Sequence, residues 1–435
     1  MRNFVIAPLL ACACMALDAQ AVDLLQVYHD ATTNDPVIAS ARATLDAGQE
    51  RTVQGRAGLL PTLGASGGYS KINAASDFGT VDYKLNTYSL SLSQPLFRLA
   101  NWETYQQGKL SVAASEAQYA QAREDLITRV AQAYFDVLAA QDALAFLKAQ
   151  QTAITEQLAS AKRNFEVGTS TITDTNEAQS RYDLAIAQQI AAQNDLDVKT
   201  AALQQIIGKP PGTLAILRTG LKLDAPTPAA LEPWVTSAEQ QNFGVLGQQL
   251  ALEIAQREVT RDRAGHLPTL DLVASRTHNN QTGVTLTQAG GASTSNAIGV
   301  QWQIPIFAGF AVTSKVREAI SLESKARFDL DNAKRSAAQA ARQSYFGVTS
   351  GLAQVKAYEA AETSSLSSLE SNRLGYQVGV RINIDVLNAQ QQLFSTRQLL
   401  AKARYDTLMA GLRLKSAAGT LKEEDLGAIN GLLVH

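Results

Sequence analysis

Two short stretches of this chain share a set of residues at matching positions. Phe165 to Ala178 reads FEVGTSTITDTNEA, and Tyr376 to Ala389 reads YQVGVRINIDVLNA, 211 positions further on. Val167, Gly168, Asp174, Ala178 and Gln179 recur as Val378, Gly379, Asp385, Ala389 and Gln390. Glycine suits a helix C-terminal cap because it tolerates positive φ. A carboxylate in the first turn of a helix is favoured by the helix dipole. Each stretch therefore predicts a helix stop, a short polar turn and the acidic start of another helix. Taken alone, that is a helical-hairpin turn.

The other reactive side chains offer less. His29, His266, His278 and His435 fall on a helix, a strand start, a loop and the terminus, without ligand spacing. No nucleophile motif or Gly-rich cofactor loop accompanies them, so the chain reads as no enzyme, with no cofactor and no metal. Gly208-Lys209-Pro210-Pro211-Gly212 lacks phosphate-loop spacing and reads as a helix stop. The formal charge of -2 and pI near 6.2 supply no basic block, which argues against nucleic acid. Residues 1–21 have the form of a secretory signal: Arg2, an apolar run from Phe4 to Leu17, then Ala19-Gln20-Ala21 before a cut. Cys12 and Cys14 lie inside it, so the mature chain would hold no cysteine and no disulfide. A lipoprotein signal using Leu9-Leu10-Ala11-Cys12 is the rival reading.

The elements that carry the two turns come in duplicate. A first repeat, 22–207, opens with an amphipathic helix over roughly Asp23 to Gly55. Two alternating strands follow within 60–97, then a long helical hairpin over 99–207. Tyr88, Leu90, Leu92 and Leu96 share one parity and Ser89, Ser91 and Ser93 the other, the period of a strand with one apolar and one polar face. Polar Lys71 to Asp82 between the strands predicts a hairpin loop. No proline interrupts Leu96 to Lys209, and a helix over about 99–164 would be roughly 100 Å long at about 1.5 Å per residue. A linker, 208–233, leads to a second repeat, 234–418. It has a helix from Trp234 to Ala264, two strands within 267–307 around a polar loop from His278 to Asn296, and a helical hairpin over 309–418. Residues 419–435 close the chain. His266-Leu267-Pro268-Thr269-Leu270 echoes Leu59-Leu60-Pro61-Thr62-Leu63, and Tyr345-Phe346 echoes Tyr134-Phe135. Ile298, Val300, Trp302, Ile304 and Ile306 repeat the alternation of the first strand pair.

After the signal no apolar run of about 18 residues remains, so a membrane role must use strands. Ten tilted residues are about enough to cross a bilayer core. Four strands cannot close a barrel, and an open edge in lipid leaves backbone groups unpaired. Spanning strands therefore require an oligomer: eight strands from a dimer, twelve from a trimer. A water-filled conduit favours the wider barrel. A soluble sheet capping a helical bundle is the alternative.

The duplication, the helix-strand-strand-helix order and the residues GYQVGVRINIDVLNAQQQLF and LAKARYDTLMAGLRLKSAAGTLKEEDL, within Gly375 to Asn430, resemble the TolC family of outer-membrane channel-tunnel proteins. The resemblance covers essentially the whole mature length. It implies a mostly α chain with a transmembrane β-barrel: a homotrimer with one twelve-stranded barrel, four strands per chain, and a long α-helical coiled-coil tunnel in the periplasm. The linker near 208–233 and the C-terminal segment would form a belt around the tunnel. The implied role is the outer-membrane exit duct of a tripartite efflux or type I secretion system. Its implied partners are a periplasmic adaptor (membrane fusion) protein, an inner-membrane ABC, RND or MFS transporter, and outer-membrane lipid. By position, Asp385 matches the family's acidic constriction ring, and Asn388 stands where the family pattern has a second aspartate. Tyr376 and Arg381 match the latch residues of the closed tip, with Thr173 and Asp174 their partners. Val167, Gly168, Val378 and Gly379 form the tip turns that an adaptor would meet. A lipidated channel of the same fold, or a periplasmic coiled-coil scaffold without a pore, are the alternatives.

Overall fold

The structure, a computed structural model, describes residues 21–76, 79–218, 220–283 and 290–434. The signal residues 1–20, including Cys12 and Cys14, lie outside it, as do His435 and residues 284–289 of the expected loop.

The expected single opening helix is two. Helix α1 spans Leu24–Asn34 and α2 spans Pro36–Ala57, and Asp35 between them is extended. Pro36 disfavours helix at the residue before it, and the Asp35 carboxylate accepts from the Val37 N–H at 2.6 Å as an N-cap. Its other oxygen takes Arg129 at 2.6 Å, with the carboxylate almost fully buried. The second repeat breaks in the same way. Helix α5 (Glu232–Gln241) and α6 (Phe243–Arg263) meet at Asn242, which caps the Gly244 and Val245 N–H groups. In both repeats a short polar side chain competed successfully with helical backbone.

The strands are longer than expected. β1 spans Thr62–Ser76, β2 Gly79–Phe97, β3 Thr269–Gly283 and β4 Gly291–Gln303, forming one antiparallel sheet in that order. Lys71 to Asp82 is therefore mostly strand, paired through to Ser76 opposite Gly79. The His278 to Asn296 stretch likewise continues as strand to Gly283 and from Gly291. Backbone pairing carries both hairpins beyond the apolar alternation that marked them in the sequence. Conversely, β4 stops at Gln303, and Ile304 to Phe307 leave the sheet, where Pro305 has no N–H to donate.

Register sorts the side chains. Leu63 faces Leu92, Ala274 faces Ile298, Leu272 faces Val300 and Leu270 faces Trp302, all on one surface. Ser89, Ser91, Thr277, Asn279, Ser293 and Ser295 occupy the other. A bulge refines the first-repeat alternation: Pro95 pairs with Asp271 and Phe97 with Leu270, leaving Leu96 as the extra residue. Phe97 thereby joins Leu270 and Trp302 in the lowest apolar row. From Phe97 to Tyr88 the band is about 30 Å along the strand at about 3.3 Å per residue. Tilted, that matches an outward apolar band of about 25 Å. Ile298, Trp302 and Tyr88 are 79%, 69% and 61% exposed on it.

Helix α3 (Leu99–Glu166) and α4 (Ile172–Ile207) form the first long hairpin, α7 (Ala311–Gln377) and α8 (Asn383–Ala417) the second. Where the sheet joins, Arg98 forks onto buried Asp271, Nε to Oδ1 at 2.8 Å and Nη2 to Oδ2 at 2.5 Å. This bidentate contact ties the first repeat's helix start to the second repeat's first strand. The main core lies midway along the hairpins, around Tyr134, Phe135, Leu138, Leu203, Tyr405 and Met409. Phe135 stacks on Tyr405, and the Tyr134 hydroxyl donates to the Ala215 carbonyl at 2.7 Å. That pins the linker, which bridges Val22 to Leu214 and Leu217 to Leu433. Helix α9 (Glu423–Asn430) packs beside it, with Asn430 bonded to Leu24 N–H and to Asp23. Among the described residues no helix is long and apolar enough to cross a membrane.

Glu124 on α3 is 6% exposed beside the C-terminal segment, and its Oε1 has no partner among the described residues. It lines a cavity of about 330 Å³ with Arg123, Lys422, Glu423 and Glu424. Burial, with a smaller push from Asp125, raises its carboxyl to about 7, against a lowering by the Leu421 backbone. The folded chain thus holds the proton more tightly than the unfolded one, and stability present below pH 4.5 is lost as the pH rises to about 7. Glu124→Gln should remove that loss. Thermal unfolding of the variant in detergent is expected to match wild type at pH 4.5 and to exceed it at pH 8, by up to about 3 kcal/mol per chain.

Candidate periplasmic tip

The two recurring turns lie at the ends of the long helices farthest from the sheet. In each, a glycine takes the left-handed conformation, Gly168 at φ 76° and Gly379 at φ 81°. In the first turn Thr169 and Ser170 N–H donate back to the Asn164 carbonyl. In the second, Val380 and Arg381 N–H donate to the Gly375 carbonyl. The backbones are copies. Val167 and Val378 are exposed beside their glycines, leaving two apolar knobs at the extremity.

The side chains diverge. Thr171 caps α4, and Asp174 returns the bond: Asp174 Oδ2 accepts from Thr171 N–H at 3.0 Å and from its hydroxyl at 2.9 Å. This is a capping box, and it engages one oxygen of the Asp174 carboxylate. Ile382 stands at the matching position of the second turn and has no side chain to cap with. Asp385, with its carboxylate one-third exposed, instead faces Arg381, Nη1 to Oδ2 at 3.7 Å. A cation and an anion at that distance in a wet site contribute at most about 1 kcal/mol. The Arg381 side chain lies across Gly375, where a Cβ would meet Arg381 Cγ at 2.7 Å. Only glycine there leaves room for the guanidinium to fold back.

Tyr376 joins the two hairpins, because its hydroxyl accepts from Asn164 Nδ2 at 3.1 Å. Buried Asn383 does so too, donating to the Asp174 carbonyl at 3.4 Å and accepting from Gln157. Within one chain, Tyr376 and Arg381 are therefore bound to Asn164 and Asp385, and Asp174 to Thr171. Thr173 is exposed at the start of α4. Asn388 is exposed on α8 and accepts from Arg181 Nη2 at 3.1 Å, while Arg181 Nη1 donates to Gln391 at 2.6 Å and Nε faces Glu177 at 3.3 Å. Sequence reasoning missed Arg181, Asn164 and Asn383. Arg181 was within reach of it, since it follows Asp174 by seven residues, two helical turns along the same face. Its cation stands beside the one position where an expected carboxylate is an amide.

A profile of the outer membrane efflux protein family matches residues 27–209 and 234–420. Outer membrane protein TolC of Escherichia coli K12 is 34% identical over 430 residues, covering 95% of this chain and 86% of that protein. Alkaline protease secretion protein AprF of Pseudomonas aeruginosa is 34% identical over 421 residues, covering 94% of this chain and 87% of its own. The crystal structure of the Campylobacter jejuni CmeC outer membrane channel superposes with a TM-score of 0.81 at 19% identity, over 94% of this chain and 89% of that one.

The unequal capping of the two turns has a local consequence. Thr171→Ala should remove about 1 kcal/mol of capping. Hydrogen exchange is expected to accelerate at the amides of 172–174 and to stay unchanged at 383–385, which never had such a cap.

Proposed function

This chain belongs to the outer membrane efflux protein family, and we propose that three copies pool their hairpins into one twelve-stranded barrel that opens into a shared helical tunnel. The protein is an outer-membrane exit duct of the kind used in efflux and type I secretion, with its helices in the periplasm. The observation that carries the trimer is a two-faced sheet whose outer strands, β1 and β4, each leave an edge unpaired in the single chain. In hydrocarbon those backbone groups require partners. The exposed apolar band requires lipid, and the hydroxyl- and amide-rich surface behind it suits a water-filled lumen.

Transport is passive in this reading. Energy and cargo choice come from an inner-membrane ABC, RND or MFS transporter, coupled by a periplasmic adaptor that docks at the turns around Val167, Gly168, Val378 and Gly379. The tip is the gate. Asp385 contributes one carboxylate per chain to the constriction. Asn388 contributes none and lies against the Arg181 guanidinium, so polyvalent cations are held by a single acidic ring. Tyr376 ties the second hairpin to the first through Asn164, and Tyr376 and Arg381 form the latch of the closed assembly, with Thr173 and Asp174 facing them there. Contacts of about 1 kcal/mol each in a wet site are weak enough for a docking partner to break.

Purification tests the assembly. The mature chain should require detergent and run as a trimer by light scattering; a water-soluble monomer would refute the barrel. In planar bilayers, Arg381→Ser with Tyr376→Phe should raise single-channel conductance several-fold, and unchanged conductance would count against the latch. Asp385→Ala should abolish block by hexaamminecobalt, whereas persistent block would place the cation site elsewhere.

A further inference from the structure

The four strands hold three basic side chains, Lys71, Lys84 and Arg276, and none falls on the hydroxyl-rich surface. Arg276 stands opposite Leu90, between Ala274 and His278, and His278 stands opposite Tyr88. Lys84 is two rows above Tyr88 on the same surface, directly opposite Lys71. All three cations are exposed and have no ion pair among the described residues. Asp82 on this surface is bonded to Asn73 at 2.7 Å, and Asp271 lies on the other surface, held by Arg98. Like charges directly opposite each other destabilise a strand pair. An arginine on a lipid-facing surface is costly at the midplane and far less so near the interface. The arrangement calls for an anion.

We propose that this stripe binds the phosphates of the phosphorylated glycolipid of the outer leaflet. The hairpin ends lie away from the helices, so in the proposed duct the stripe sits at the outer leaflet, running from the top rows of the apolar band toward the hairpin ends. The proposal rests on that reading, which turns this surface to lipid. From Arg276 to Lys84 is three rows, about 20 Å along the strand. Long basic side chains lean along a surface to bring their charges to the headgroup layer, so the two ends approach each other. That spacing suits a ligand with two separated anions. Arg276 can fork onto the deeper phosphate, and the Lys71–Lys84 pair supplies point charges to the outer one. Acyl chains then lie on Leu90, Ile298 and Val300.

Native mass spectrometry of the detergent-purified full-length oligomer tests this, with bis-phosphorylated lipid A and its fully dephosphorylated form as probes. Wild type should bind the phosphorylated form at least about tenfold more tightly, as about three surface cations would provide. Lys71→Gln with Lys84→Gln and Arg276→Gln should erase the difference while conductance in planar bilayers persists. Equal binding of the two lipids by wild type overturns the proposal, as does a difference that survives the triple substitution or is abolished by excess inorganic phosphate. The wild-type comparison decides alone if the variant does not fold. Loss of conductance in wild type would instead strike the duct itself.

Discussion

Lipid supplies neither donors nor acceptors, and that constraint governs this molecule. A four-stranded antiparallel sheet satisfies its inner ladders and leaves its outer strands half-paired. In water such an edge is tolerable; in hydrocarbon each unpaired group costs several kcal/mol. The sheet also exposes an apolar band from Phe97 to Tyr88 that water does not favour. Both problems have one solution, closure with copies of itself.

The midsection carries the load of holding two repeats together. Tyr134, Phe135 and Tyr405 form the centre of the largest core, and the linker and C-terminal segment wrap it through backbone bridges at Leu214, Leu217 and Leu433. The second repeat reuses part of this plan: Tyr345 donates to the Ala229 carbonyl as Tyr134 does to that of Ala215. Its neighbour Phe346 is exposed where Phe135 is buried. Duplication preserved the tyrosine pin and released the phenylalanine to a surface.

The same divergence shapes the tip. Two turns with one backbone use their aspartates differently because of the residue three positions earlier. Thr171 draws Asp174 into a cap; Ile382 cannot, and Asp385 stays available to Arg381. A single side chain thus separates a carboxylate drawn into a helix cap from one that faces an arginine. Asn388, three residues further along α8, is an uncharged amide that accepts from the Arg181 guanidinium.

Local periodicity was enough to read the duplication, the strand pairs, the long hairpins and the glycine turns from the amino-acid sequence. Alternation by two and by three or four is set by the chain's own geometry, and Gly168 and Gly379 mark their turns by what their backbones alone can do. Tertiary structure decided what depends on a partner. The strands run past Lys71 and His278 because another strand lies beside them, and the bulge at Leu96 exists relative to β3. The helix breaks at Asp35 and Asn242 came from side chains bonding locally, and Arg129 then fixed the first. Asp174 and Asp385 look alike in sequence because a carboxylate carries no record of what it will face. Which donor reaches it is a matter of distance in space, and that distance exists only once the chain has folded.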